Sequence, residues 1–268
     1  MSTIRTILNE HYVWKNQIFK LAKADIIKTY SGAALGWTWA IVKPTITIAV
    51  FWFAFSIGLR LGGDVCNMPY ILWIIAGMAP WFYMSEMITQ GAGAIIRYRY
   101  LVTKMKFPVS TIPTFVALSK ISIHLIIMAI VIIIFCLFGY YPDIYMLQLP
   151  FYMFMMLLFF TAWGLFSSML SAMSKDFYNL VKSLTTALFW ISGIMWDVNS
   201  IHIPWLKHIL LLNPITYIAT GYRNIFIYKK WFFDEYISLI YFLFVLIIMM
   251  LLGAWSYKKL IREIPDVL

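Results

Sequence analysis

The chain's candidates for proton transfer or metal ligation are His11, His124, His202 and His208, and the last two share a short segment with Asp197. An intramembrane enzyme would need such groups to converge as acid, base or ligand. Six-residue spacing does not stack two side chains on one helical face, and the other two histidines lie far away in sequence. We therefore read them as helix-boundary residues, with a lipid transferase built on Asp197, His202 and His208 as the alternative, and assign no catalytic residue and no metal site. None of the 13 glycines opens a G-x-x-x-x-G-K-[ST] phosphate loop, so ATP hydrolysis is not expected in this chain. Cys66 and Cys136 lack the clustered spacing of a metal or redox site and read as free thiols.

The elements that would position any site are membrane helices. Of the 268 residues, 63% are hydrophobic and 12% charged, against about 45–50% apolar and about 25% charged in soluble domains. Several apolar runs reach the roughly 20 residues that cross a hydrocarbon core of about 30 Å. The expected fold is all-α and polytopic: an N-terminal amphipathic interface helix in residues 1–36, then a membrane domain in 37–268 with six transmembrane helices. The spans are placed at 37–59, 70–90, 113–138, 147–173, 177–196 and 236–257, the first interrupted by Lys43-Pro44. No short basic leader precedes the first run, so no cleavable signal is expected.

Over residues 4–30 a stripe of Ile4, Ile7, Leu8, Tyr12, Ile18, Phe19, Ala22 and Ile26 opposes Arg5, Lys15, Lys20, Lys23 and Lys28, the pattern of a helix lying in the membrane interface. Segments 201–212 and 215–228, split by Asn213-Pro214, are each only about 18–21 Å as helices. They either form a re-entrant outer pair or fuse into one kinked span. Charge decides: with a re-entrant pair, fifteen Lys and Arg fall in cytoplasmic segments and five outside, as the positive-inside rule requires. Lys120 then lies near the inner boundary and both termini are cytoplasmic. The net charge of +10 reads as orientation rather than nucleic-acid binding. Ionisable groups near span ends, and no repeat between the halves, argue against an ion-coupled transporter.

Three sets of fragments, in order, resemble the type-2 ABC transporter permeases of the polysaccharide and teichoic acid export family. The first is Ala24-Asp25-Ile26-Ile27-Lys28-Thr29-Tyr30 with Leu35-Gly36-Trp37 and Pro44. The second is Gly77-Met78-Ala79-Pro80-Trp81-Phe82 with Lys104-Met105-Lys106-Phe107-Pro108 and Pro113. The third is Lys175-Asp176, then Ser192-Gly193-Ile194-Met195-Trp196-Asp197, Asn213-Pro214 and Tyr222-Arg223. The resemblance implies a homodimeric permease of the bacterial cytoplasmic membrane. It would hold no cofactor itself, work with an ABC ATPase subunit that carries ATP and Mg, contact membrane lipids, and pass a lipid-linked anionic glycan outward. The run 192–197 looks more like the wall teichoic acid members than the O-antigen members. An ABC permease for a drug or small lipid is a further alternative.

Sites follow from that frame. Arg97, Arg99, Lys104 and Lys106 sit where the resembling proteins insert a coupling element into the ATPase, or serve only to orient the chain. Arg5, Lys28 and Lys43 would collect an anionic headgroup, or simply snorkel. Asp197, Asn213, Pro214 and Arg223 would form an outer gate, with Arg223 near the outer surface. The channel stripe would be Thr45, Trp52 and Ser56 in span one and Thr186, Phe189, Ser192 and Trp196 in span five, although hydroxyl and small residues also mark helix packing seams.

Overall fold

The computed structural model describes residues 3–32, 34–58, 63–105 and 107–267, and the regular elements within them are helical, with one isolated bridge between Val65 and Met68. The amphipathic N-terminal stretch is two helices rather than one, α1 (Thr3–Val13) and α2 (Lys15–Tyr30). They hinge at Trp14, which leaves helical geometry at φ −98°, ψ 12° and packs its ring edge-on against Phe107 at 5.1 Å. The hinge divides the apolar stripe. Ile18 and Ala22 of α2 turn inward, while Ile4, Leu8, Tyr12 and Phe19 stay exposed for lipid.

The first apolar run is helical over Gly36–Gly58, centred on α3 (Trp39–Trp52) and ending in a π-turn, Phe53–Gly58. α4 (Tyr70–Glu86) continues through a second π-turn, Met87–Gly91, into short α5 (Ala94–Arg97) and α6 (Arg99–Thr103). Then come α7 (Ile112–Leu137), α8 (Leu149–Met173), α9 (Lys175–Ile191), α10 (Pro204–Leu211), α11 (Pro214–Arg223) with its π-turn Asn224–Tyr228, α12 (Tyr236–Leu260) and α13 (Ile264–Val267). Five stretches are long and apolar enough to span: Gly36–Gly58, Tyr70–Gly91, Val109–Leu137, Ile144–Met173 and Tyr236–Leu260.

The fifth span expected at 177–196 is different. α9 is 17 residues, about 25 Å at 1.5 Å per residue, and stops at Ile191 rather than 196. Gly193 stops it: its φ of 64° lies in the left-handed region, and a Cβ there would meet Val198 Cγ2 at 2.3 Å. Trp196 consequently sits beyond the helix, its Nε1 donating to the Trp190 carbonyl at 2.8 Å.

α4 is the hub, packed by α3, α7 and α11, while α8 and α12 pair along their length. One end of the bundle gathers α1, the start of α7 and the end of α12: the Glu10 carboxylate accepts from the hydroxyls of Ser110 and Tyr257. The opposite end gathers Tyr140 with Asn67, Lys229 with Asp143, and Gln148 with Lys230 and Phe232. Residues near both termini thus share one end. Segment 197–228 leaves from the other end and returns to it, because Tyr228 hydrogen-bonds Asp197.

Candidate functional site

Three features are built from the chain's polar residues: a cavity beside α3, the exposed surfaces of α3 and α9, and a buried arginine that holds segment 197–228. The cavity, of about 210 Å³, lies between α3, α4 and α7 and is lined by Lys43, Glu86 and Lys120 among apolar neighbours. Lys120 Nζ sits 3.1 Å from a Glu86 carboxylate oxygen, with 1% of the lysine side chain and 30% of the glutamate exposed. Tyr30, at the end of α2, lines the same cavity, and burial together with the negative charge of Glu86 pushes its hydroxyl up to about 12.

Lys120 is thus enclosed by protein and paired with a carboxylate rather than projecting into solvent. The helical turn Val109–Thr111 and the first turns of α7 are covered by α1 and α2, so a lysine that would otherwise reach the interface is enclosed by protein. One turn on, the His124 ring nitrogen Nε2 is 2.8 Å from the Tyr222 hydroxyl, tying α7 to α11. Sequence reading missed both pairings. The signal was present: an ionisable residue inside an apolar run is a functional candidate by default.

α3 is the least buried span, with Ala40 its one buried residue. Thr45 and Trp52 are exposed on it, the Thr45 hydroxyl returning to the Ile41 carbonyl at 2.8 Å, while Ser56 is half-buried with its hydroxyl unpartnered among the described residues. α9 lies alongside: Phe51 meets Phe189 at 5.3 Å and Trp190 at 6.2 Å. α9 buries only Val181 and Phe189. Its remaining surface divides by helical position into one half with Asn179, Lys182, Ser183 and Thr186 exposed together with Trp190, and an aliphatic half with Leu180, Leu184, Ala187 and Ile191 exposed. Phe189 and Ser192, grouped with Thr186 from the sequence, face into the protein instead. Phe189 packs on Trp81 at 5.4 Å, and Ser192 accepts from Asn213 Nδ2 at 2.8 Å.

The gate residues come together around the end of α9. Asn213 caps α11 by accepting from the Ile215 amide at 3.0 Å, with Pro214 at the first helical position. Arg223 is buried in the protein, 3% exposed, beside the turn that ends α9. Its guanidinium donates to the carbonyls of Gly193 and Ile194, which the left-handed turn leaves without helical partners, and stacks over Trp73 at 3.5 Å. Gly77 makes room for it: a Cβ at 77 would meet Arg223 Nη2 at 2.3 Å. His208 bonds its own turn through the Pro204 carbonyl at 2.6 Å, while Asp197 accepts from Tyr228 at 3.1 Å.

The basic residues divide among several places. Arg5 is exposed on α1; Lys28 lies over the Tyr98 ring at 5.4 Å; of these three only Lys43 lines the cavity. Tyr98 also donates to Asp25, and burial plus that contact raise its hydroxyl pKa. Arg97 is held by Gln90 Oε1 at 2.7 Å, whereas Arg99 and Lys104 are exposed and free of such a clamp; Lys106 lies outside the described residues.

Residues 16–227 match the family described as ABC-2 type transporter. The chain is also similar to the O-antigen export system permease protein RfbA of Myxococcus xanthus, 24% identical over 221 residues that cover 82% of this chain and 84% of that protein. A protein of the same name from Klebsiella pneumoniae is 22% identical over 252 residues, 92% of this chain and 93% of the relative.

Proposed function

The chain belongs to the ABC-2 type transporter family, and from that membership we propose that it is the transmembrane subunit of an exporter for a lipid-linked cell-envelope polysaccharide. A separate ABC ATPase subunit supplies the energy, and two copies of this chain enclose the route. The relatives are named for O-antigen export, while run 192–197 resembles teichoic acid members. Both descriptions share a lipid-linked polymer, and the proposal stands at that level.

The observation that carries it is the split surface of α9 beside the sparsely buried α3. Hydroxyl, amide and ammonium groups at membrane depth are costly against lipid tails. The strip of Asn179, Lys182, Ser183 and Thr186 therefore belongs against water or a second copy, with Leu180, Leu184 and Ile191 turned to lipid or packing. Sugars present hydroxyls and flat C–H faces, which such a strip, with Thr45 and Trp52 nearby, can guide through weak contacts that release readily. Segment 197–228 lies at the end opposite the termini, and the excess of Lys and Arg in the loops at the termini's end supports reading that end, with Arg99 and Lys104, as the cytoplasmic face beside the ATPase.

Co-purification with an ATPase subunit, followed by ATP turnover measured with lipid-linked glycans, tests this reading. Turnover rising with a lipid-linked polymer supports it. A chain that binds no ATPase, or a complex that responds to small amphiphiles and not to glycans, contradicts it.

A further inference from the structure

Lysine inside a membrane span is rare and marks a binding or transport site more often than a packing one. Lys120 is such a residue, with one carboxylate, Glu86, at 3.1 Å. Lys43 from α3 lines the same cavity, so its lining carries two lysines and one carboxylate. Trp39, Trp81 and Ile123 wall the cavity with largely apolar surface, where a charge is screened less than in water. Tyr83 lines it too, 2% exposed, its hydroxyl without a hydrogen-bond partner among the described residues.

Glu86 is the less fixed member of the pair. It ends α4 where the backbone widens into the π-turn Met87–Gly91, a feature frequent at functional sites, and 30% of its side chain is exposed against 1% for Lys120. The carboxylate is the partly exposed member of the pair, and the ammonium is enclosed. With Glu86 in place the three groups sum to one positive charge. With Glu86 withdrawn, the two lysines match a doubly charged anion.

We propose that Lys120 and Lys43 bind the phosphate oxyanions of a lipid diphosphate, the lipid carrier end of the substrate, and that Glu86 is the internal counter-ion which the diphosphate displaces. Lysine binds phosphate as a point charge, and a carboxylate oxygen is the nearest side-chain likeness of a phosphate oxygen. A cavity of about 210 Å³ is below the roughly 300–1,000 Å³ of clefts that enclose drug-sized ligands, so it takes a headgroup and leaves the sugar chain outside. The proposal rests on the export reading for the identity of the lipid, and on the cavity for the phosphate.

The test is binding to the purified full-length chain in detergent, using farnesyl diphosphate, farnesol, inorganic pyrophosphate and phosphatidylglycerol as probes. The wild type should bind farnesyl diphosphate at least tenfold more tightly than farnesol. Glu86→Gln should tighten diphosphate binding about fivefold and leave farnesol unchanged, a gain that a purely structural ion pair does not produce. Glu86→Gln combined with Lys120→Met, which leaves no orphaned charge, should abolish the preference for the diphosphate. The site assignment is overturned if Glu86→Gln does not tighten binding and the double variant keeps the preference. It is overturned equally if pyrophosphate or phosphatidylglycerol competes as well as farnesyl diphosphate, which would mark a free-anion or general phospholipid site. Export is read separately: normal ATP-driven export by the double variant removes this site and leaves the function, whereas diphosphate binding with no export by the wild type removes the function and leaves the site.

Discussion

Asp197 accepts a hydrogen bond from the Tyr228 hydroxyl at 3.1 Å, across 31 positions of chain. Both residues sit at the end of the bundle opposite the termini, so the segment carrying α10 and α11 starts and finishes at the same end, as a re-entrant pair requires. Phe233→Cys, in a background lacking Cys66 and Cys136, should react with a membrane-impermeant thiol reagent applied to intact cells, and Arg99→Cys should react only after permeabilisation. Protection of position 233 in intact cells would mean that 201–228 crosses as one span.

Arg223 is the pin of that segment. Two hydrogen bonds from its guanidinium to the carbonyls of Gly193 and Ile194 are buried with it. Arg223→Ala should cost about 3 kcal/mol, the scale for losing hydrogen bonds to a charged group and leaving buried partners unmade. Gly77→Ala should reproduce much of the loss, because the added Cβ occupies the place of Nη2. Thermal unfolding of the purified variants in detergent measures both, and a Gly77→Ala protein as stable as wild type would show that Arg223 has another seat.

Lys104 is exposed, whereas its neighbour Phe107 is 6% exposed and occupied by Trp14. Any contact with an ATPase at this corner therefore runs through the lysine rather than the phenylalanine. Lys104→Glu should reduce co-purification of the ATPase at least fivefold while membrane insertion is unchanged. Full recovery of the partner would restrict Lys104 to orienting the chain.

Glu10 clasps α1 to the helical turn before α7 and to α12 through Ser110 and Tyr257. Glu10→Ala should weaken that clasp by about 1–3 kcal/mol, seen as faster proteolysis within residues 3–13 of the folded chain. Cleavage at the wild-type rate would mean that the apolar contacts of α1 hold it without the carboxylate.

Much of the fold was legible because apolar run length is a strong signal in a membrane chain: the boundaries at Tyr70, Met173 and Tyr236 were readable directly from hydropathy. Local reading failed where distant residues decide the outcome. The break at Trp14 depends on Phe107, ninety-three positions away. The end of α9 depends on Gly193 turning left-handed, with Arg223 taking the released carbonyls. The same holds for the site. Thr45 and Thr186 are each exposed on their own helices, but Ser192 was drawn inward by Asn213, and Lys120 was enclosed by helices that periodicity within α7 does not reveal.

The most direct test of a water-filled glycan route along α3 and α9 compares positions that are equally bare on the protomer but lie on opposite halves of its exposed surface. In a cysteine-free background, Thr186→Cys and Thr45→Cys should react with a small water-soluble thiol reagent during ATP turnover, while Leu184→Cys and Ala187→Cys remain unmodified and buried Ser192→Cys stays inert. Equal reactivity at 184 and 186, or none at 45 and 186 while export is active, would contradict the account.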